Sequence, residues 1–175
     1  PLAGLSQAQL GRLPVAARGI EDIYPLSPMQ EGLLMHTLLE PGTGIYLMQY
    51  CYPVDHAIAI DAFNQAWKTV IARHDVLRTS FCWDLGERMV QIVHRRTEPA
   101  LRVLDWRHLS PAEYEPALQA ELEQELQHGF AMDKEVPLRV RLIQLAADRF
   151  GFVFSNHHVL LDAWCRMGVV DEFFK

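Results

Sequence analysis

The residues best able to do chemistry lie in Phe152-Val153-Phe154-Ser155-Asn156-His157-His158-Val159-Leu160-Leu161-Asp162-Ala163-Trp164, where two adjacent histidines precede an aspartate. An imidazole titrates near neutrality, so it can take or give a proton or orient a reacting group. An aspartate can hold a cation or cap a helix. The apolar run before His157 reads as a strand and the residues after Asp162 as a helix, and such a junction can hold polar groups rigidly at the mouth of a cleft. On an extended backbone neighbouring side chains diverge, so one histidine should turn inward while the other faces the cleft. The same divergence, with no supporting ligand cluster, argues against a metal site. A plainer reading stays open, in which Asp162 only caps the helix and the histidines are hydrogen-bonded core residues.

The elements that would position these groups follow from capping and periodicity. Ser27-Pro28-Met29-Gln30 is a capping box opening a helix over 28–39 that ends near Pro41-Gly42. Residues 46–54 are rich in β-formers, with Pro53 suggesting an edge or a strand end. Asp61 is expected to cap a helix whose Phe63, Ala66, Trp67, Val70 and Ile71 make a core face. Between Leu77 and Val93 two β-rich runs flank Asp84-Leu85-Gly86-Glu87, a hairpin turn. Ser110-Pro111-Ala112-Glu113 starts a long amphipathic helix with Pro116 in its second turn. Strands over 138–145 and 150–155 and a helix over 163–175 complete an α/β or α+β pattern with a mixed sheet and flanking helices. Residues 1–19 read as a connector.

Composition narrows the function. The 175 residues are half apolar, enough for one core, and the formal net charge of −6 comes with no concentrated basic tract, which argues against nucleic acid. No apolar run is long enough to span a bilayer. Cys51, Cys82 and Cys165 show no C-x-x-C spacing, so neither a disulfide framework nor zinc is indicated and a reducing cytoplasm is the expected setting. The chain starts without Met and stops at Phe173-Phe174-Lys175 within an apolar-periodic segment, as a piece of a longer polypeptide would.

His157-His158-Val159-Leu160-Leu161-Asp162-Ala163 resembles the H-H-x-x-x-D-G signature of the condensation domains of non-ribosomal peptide synthetases, a pattern shared in broad form with chloramphenicol acetyltransferase and dihydrolipoyl acyltransferases. Tyr24-Pro25-Leu26-Ser27-Pro28-Met29-Gln30-Glu31-Gly32-Leu33-Leu34 is similar to that family's opening motif. Arg73-His74-Asp75-Val76-Leu77-Arg78-Thr79-Ser80-Phe81 resembles its R-H-E-x-L-R-T-x-F motif. Three matches in order cover nearly the whole chain and are far more specific than the histidines alone.

The resemblance implies a chloramphenicol acetyltransferase-like fold, with residues 20–175 forming the amino-terminal lobe of a condensation domain and 1–19 an inter-domain linker following a carrier domain. The carboxy-terminal lobe would be absent, leaving the fragment inactive alone. The implied reaction joins a donor acyl or peptidyl thioester to an acceptor aminoacyl thioester. Both ride on phosphopantetheine arms of upstream and downstream carrier domains, an adenylation domain lies nearby, and no cofactor is bound directly. His158 would be the catalytic residue, with His157 a structural neighbour. Asp162 would form a salt bridge with Arg73 or, in reserve, Arg78. Ala163 and Trp164 would border the substrate channel. Ala163 departs from the family's glycine, a type that permits unusual backbone angles or a close ligand approach. An epimerization domain and a non-catalytic recruitment domain of the same superfamily are the alternatives. Retention of His158 argues against the latter, and the Ser27-Pro28-Met29-Gln30-Glu31-Gly32 opening against the former.

The remaining conspicuous residues read as structural. Trp67, Trp83, Trp106 and Trp164 are expected as core anchors. Glu121, Glu123 and Glu125 are expected on a solvated helix edge. Cys165, with no activating cation in sight, is not expected to be a nucleophile.

Overall fold

The computed structural model describes residues 3–85, 88–97 and 101–175. Pro1 and Leu2 of the expected linker and Gly86 and Glu87 of the expected hairpin turn lie outside these residues. A four-stranded sheet forms the centre, ordered β2 (Leu47–Val54), β7 (Phe150–His157), β6 (Leu138–Gln144) and β5 (Leu101–Asp105). β7 runs antiparallel to both neighbours and β5 pairs parallel with β6, so the sheet is mixed. A smaller antiparallel sheet holds β1 (Ile20–Pro25), β4 (Val90–His94) and β3 (Thr79–Cys82).

Strand alternation sorts the side chains into two cores. Phe150, Phe152 and Phe154 of β7 face the buried stripe of α3 (Ile60–Arg73), made of Phe63, Trp67, Val70 and Ile71. Val169 and Phe173 of α5 (Ala163–Phe173) and Leu34 of α2 (Pro28–Leu39) complete this larger core. On the opposite face Val153 and Ile143 meet Leu118 of α4 (Pro111–His128). The sheet is therefore sandwiched between α3 and α5 on one side and α4 on the other, as an apolar layer with two faces must be.

Capping boxes at Ser27–Gln30 and Ser110–Glu113 start α2 and α4 as the sequence predicts. α3 differs, beginning one residue before Asp61 with Ala59 as an uncapped N-cap, so Asp61 sits inside the first turn and favours it by charge rather than by a cap bond. Strands β1 and β5 were not expected. Both are short, and β1 carries Glu21, Asp22 and Pro25, which weaken any β signal.

Two further details differ from expectation. Residues 3–19, expected as a connector more than a packed element, do pack: α1 (Gln7–Leu10) has its own capping box, Ala3 is buried against Cys82, Leu85, Val90 and Ile92, and Gln9 donates to the Leu85 carbonyl at 2.8 Å. The scattered leucines Leu5 and Leu13 pack on that small core, too widely spaced to show a period. Glu125 is not on a solvated edge either. It is 4% exposed, and its Oε2 accepts from Arg141 Nη1 at 2.9 Å, Ser155 Oγ at 2.6 Å and Gln49 Nε2 at 2.8 Å. Burial pushes the Glu125 carboxyl up, but these bonds prevail and hold it below the usual carboxylate range. The arrangement ties α4 to β2, β6 and β7 through one carboxylate. Glu125→Ala removes the hydrogen-bonded carboxylate of buried Arg141, leaving only Glu121 at 3.6 Å, and is expected to cost about 3–5 kcal/mol in urea unfolding. The double change Glu125→Leu with Arg141→Met is expected to cost less than that single change. A loss below about 1 kcal/mol for Glu125→Ala would show the pair to be dispensable.

Candidate functional site

The two histidines diverge at the end of β7. His157, its last residue, is 2% exposed, whereas His158 is partly exposed. Backbone bonds fix the junction: the His157 amide donates to the Pro137 carbonyl at 3.0 Å and the His158 amide to the Tyr46 carbonyl at 2.8 Å. Tyr46 has a φ of 63°, the only described non-glycine residue with positive φ. An aromatic residue in that region is strained, and such strain tends to collect at functional sites.

The environment of His157 sets its tautomer. Its Nδ1 accepts from the Val159 amide at 3.1 Å. Thr37 Oγ1 donates to the Leu33 carbonyl at 2.8 Å, so at 2.9 Å from His157 Nε2 it acts as acceptor, and Nε2 carries the proton. Burial, and then the neighbouring His158, push the His157 pKa down to about 4. The ring is thus a neutral strut that holds the turn at Val159. The opening motif braces the same turn, because Gln30 Nε2 donates to the Val159 carbonyl at 3.2 Å. Thr37, Gln30 and Tyr46 were missed as supporting residues, since a threonine within a helix and a tyrosine after Gly42-Thr43-Gly44 carry no chemical signal by themselves.

His158 has no comparable partner among the described residues. Its Nδ1 is closed off from solvent and makes no hydrogen bond. Among these residues no carboxylate is hydrogen-bonded to the ring, so the arrangement offers a positioned, partly open imidazole rather than a relay.

Asp162 departs from expectation. It is exposed, and its Oδ1 accepts from the Cys165 amide at 2.8 Å as the N-cap of α5, a bond that holds the carboxyl below the usual range. It pairs with neither expected arginine. Arg73 at the end of α3 meets Glu172, which also lies 2.6 Å from His74 Nε2. Glu172 is in the last turn of α5, about 15 Å along the helix from the Asp162 cap at 1.5 Å per residue, so α3 packs against the wrong end of α5 for the expected pair. Arg78 is buried, bonded to Glu21 Oε2 at 2.6 Å, to Asp75, and to the Ile71 and His94 carbonyls.

Ala163 opens α5 in ordinary helical backbone and is exposed, so the methyl imposes no backbone strain where the family has glycine. Trp164 is 83% exposed beside Met167 at 56%, so it is a surface residue rather than a core anchor. Trp67 is fully buried, and Trp83 and Trp106 are partly buried against the cores. The Cys165 thiol is pushed up, first by its hydrogen bond with Asp162, which disfavours a thiolate. Among the described residues no group of three His, Cys, Asp or Glu is arranged to hold a metal, and no helix is long and apolar enough to cross a membrane.

Comparison with known proteins gives a consistent picture. The family model described as "Condensation domain" matches residues 20–175. The chain is 43% identical over 164 residues to a linear gramicidin synthase of Brevibacillus parabrevis, covering 94% of the chain and 3% of that protein. It is 34% identical to surfactin synthase subunit 3 of Bacillus subtilis (strain 168), covering 89% of the chain and 12% of that protein. The crystal structure of the starter condensation domain of rhizomide synthetase superposes with a TM-score of 0.77 at 20% identity, covering 87% of this chain and 38% of that one. The chain thus spans a small part of these relatives and less than half of a solved domain of the same fold.

Two outcomes follow from the geometry. As an exposed helix cap, Asp162→Ala is expected to lower stability by about 0.5–2 kcal/mol in thermal unfolding, and a loss of 3–5 kcal/mol would instead indicate a buried ion pair. His157 has an unfolded pKa near 6.5 and a folded value of about 4. Between these the unfolded chain binds the extra proton, so stability falls as pH drops through that window, by up to about 3 kcal/mol from this residue. Urea unfolding at pH 7 and pH 5 should show the loss, and His157→Gln should reduce it. An equal pH dependence in that variant would place the effect elsewhere.

Proposed function

Because this chain belongs to the condensation domain family, we propose that it supplies one lobe of an acyltransferase that forms amide bonds in non-ribosomal peptide synthesis. The observation that carries the reading is the divergence of the histidines, with His157 locked as a neutral strut and His158 left partly open at the strand end. The acceptor's amine nitrogen attacks the donor's thioester carbonyl, a C–N bond forms, and the C–S bond breaks to release the donor's phosphopantetheine thiol. The nitrogen's proton leaves as the tetrahedral oxyanion collapses. His158 would accept or hold that proton and orient the amine. An α-amine titrates near 7.7–8.0, so a useful fraction is already neutral and positioning contributes alongside proton removal.

The partners of this reading are the upstream donor and downstream acceptor carrier domains, with an adenylation domain in the same synthetase and a cytoplasmic setting. Ala163 and Trp164 would border the channel beside His158, and the exposed Trp164 and Met167 would meet a second lobe. Residues 1–19 would join the lobe to a preceding carrier domain along the packed path of α1.

The test uses donor- and acceptor-loaded carriers with the complete two-lobe domain, following peptide by mass spectrometry. His158→Ala is expected to lower turnover by about 10²–10⁴-fold, the usual contribution of a positioned proton-transfer group. The 175-residue chain by itself is expected to form no measurable peptide, because aligning two reactants accounts for about 7–11 kcal/mol of barrier reduction and one lobe cannot align both arms. Unchanged turnover in His158→Ala would remove the proposed role, and a fragment rate near that of the whole domain would refute the two-lobe requirement.

A further inference from the structure

Among the described residues three arginines are buried: Arg78, Arg141 and Arg166. Arg78 and Arg141 have carboxylate partners within 3 Å. Arg166 has none among the described residues. It lies in the first turn of α5, its amide bonded to the Asp162 carbonyl, and it is 8% exposed. Its guanidinium stacks 3.6 Å above the Tyr50 ring and donates through Nη1 to Tyr52 Oη, while Nε is enclosed and without a partner. A guanidinium cannot shed its charge to escape burial, and an aromatic face offsets only part of the cost of desolvating a cation. No carboxylate among the described residues offsets the Arg166 charge.

Its place relative to His158 gives an offsetting charge a source. Met48, Tyr50 and Tyr52 alternate onto the same face of β2, the edge strand of the sheet, and His158 is bonded to the backbone of Tyr46 just before that strand. At about 3.3 Å per residue, Met48 lies roughly 7 Å and Tyr50 roughly 13 Å along the strand from Tyr46. Met48 is 36% exposed and Tyr50 partly exposed. Leading away from His158 there is first an apolar thioether and then a stacked, uncompensated guanidinium, a sequence matched by an acyl group with an aliphatic stem and a terminal carboxylate.

We propose that Arg166 determines specificity at the His158 site by binding a carboxylate on the acyl group of a carrier-bound substrate, donor or acceptor. The inference rests on the amide-forming reading above. Arg166 touches neither His158 nor the thioester in this scheme. It reads the far end of the side chain, and Tyr50 and Tyr52 hold its planar fork in place.

The experiment uses the complete two-lobe domain with carriers loaded in matched pairs, 2-aminoadipyl against norleucyl, varied first on the donor and then on the acceptor. The readout is the ratio of kcat/KM for the acidic over the apolar substrate. The ratio is expected to exceed 10 on one side, identifying which substrate Arg166 reads. Arg166→Met is expected to lower that ratio at least 10-fold, and Arg166→Lys, which keeps the charge but loses the planar fork, to give an intermediate value. A ratio unchanged in Arg166→Met, or a wild-type preference for norleucyl on both sides, overturns the proposal and leaves a merely stacked arginine. Should Arg166→Met fail to fold, the wild-type ratio and Arg166→Lys decide. Amide formation with no pair at all would fail the underlying reading, a result distinct from amide formation without discrimination.

Discussion

β7 has no solvent face, and the rest of the fold is arranged around that constraint. All eight of its residues are buried, with β2 and β6 on its edges and helices over both faces. A strand so enclosed must be apolar wherever it can be, and Phe150, Phe152, Val153 and Phe154 are. It must also find partners for the polar groups it carries, and among the side-chain atoms only the Asn156 Oδ1 is left without one. Ser155 is taken by Glu125, Asn156 donates to the His157 and Leu161 carbonyls, and His157 is clamped between Thr37 and Val159. The enclosure ends with His158, so a polar ring reaches the surface at a point that the whole sheet holds still. Rigid support of that kind is what positional catalysis demands.

The motifs distributed along the chain gain physical meaning from this arrangement. The opening segment carries Gln30 and Thr37, whose bonds reach the histidine turn, so it acts as a brace on the site. The segment Arg73 to Phe81 works differently. Arg78 gathers the end of α3, strand β1 and the His94 carbonyl around one buried cation, joining the small sheet to the large core. Arg73 fastens α3 to the far end of α5 through Glu172. Both arginines act on the packing of elements, away from His158.

What could be read from the sequence was the pattern with strong local signals. Capping boxes marked α2 and α4, and the three- and four-residue spacing of Phe63, Trp67, Val70 and Ile71 marked the buried stripe of α3. Strand alternation predicted that His157 and His158 diverge, and the family likeness supplied which of them faces outward. What could not be read were pairings that depend on tertiary distance. Glu121, Glu123 and Glu125 look alike in sequence, yet Glu125 is buried beneath α4 and bonded to Arg141 and Ser155, while Glu121 lies 3.6 Å from Arg141 Nε at the edge of the same cluster. Asp162 was matched to an arginine by family likeness, while the direction of α5 sends Glu172 to Arg73 instead. Trp164 shares the apolar neighbours of a core residue and is exposed, because Val169 and Phe173, further along α5, form the face that turns into the core.

The lack of a carboxylate hydrogen-bonded to His158 among the described residues constrains the chemistry further. In a relay such as the serine protease triad, a buried acid fixes the tautomer of the base and stabilises the cation it becomes. Here the nearest acid in sequence, Asp162, spends its Oδ1 on the helix cap, and His158 Nδ1 has no partner. His157 beside it is poorly suited to share charge, having been driven neutral by burial. Amide formation from a thioester makes modest demands on a base, because the attacking amine is partly neutral at the start and the thiol is a good leaving group. In the proposed reaction a rigidly held ring would meet those demands through orientation, which the buried strand leading to it is built to provide.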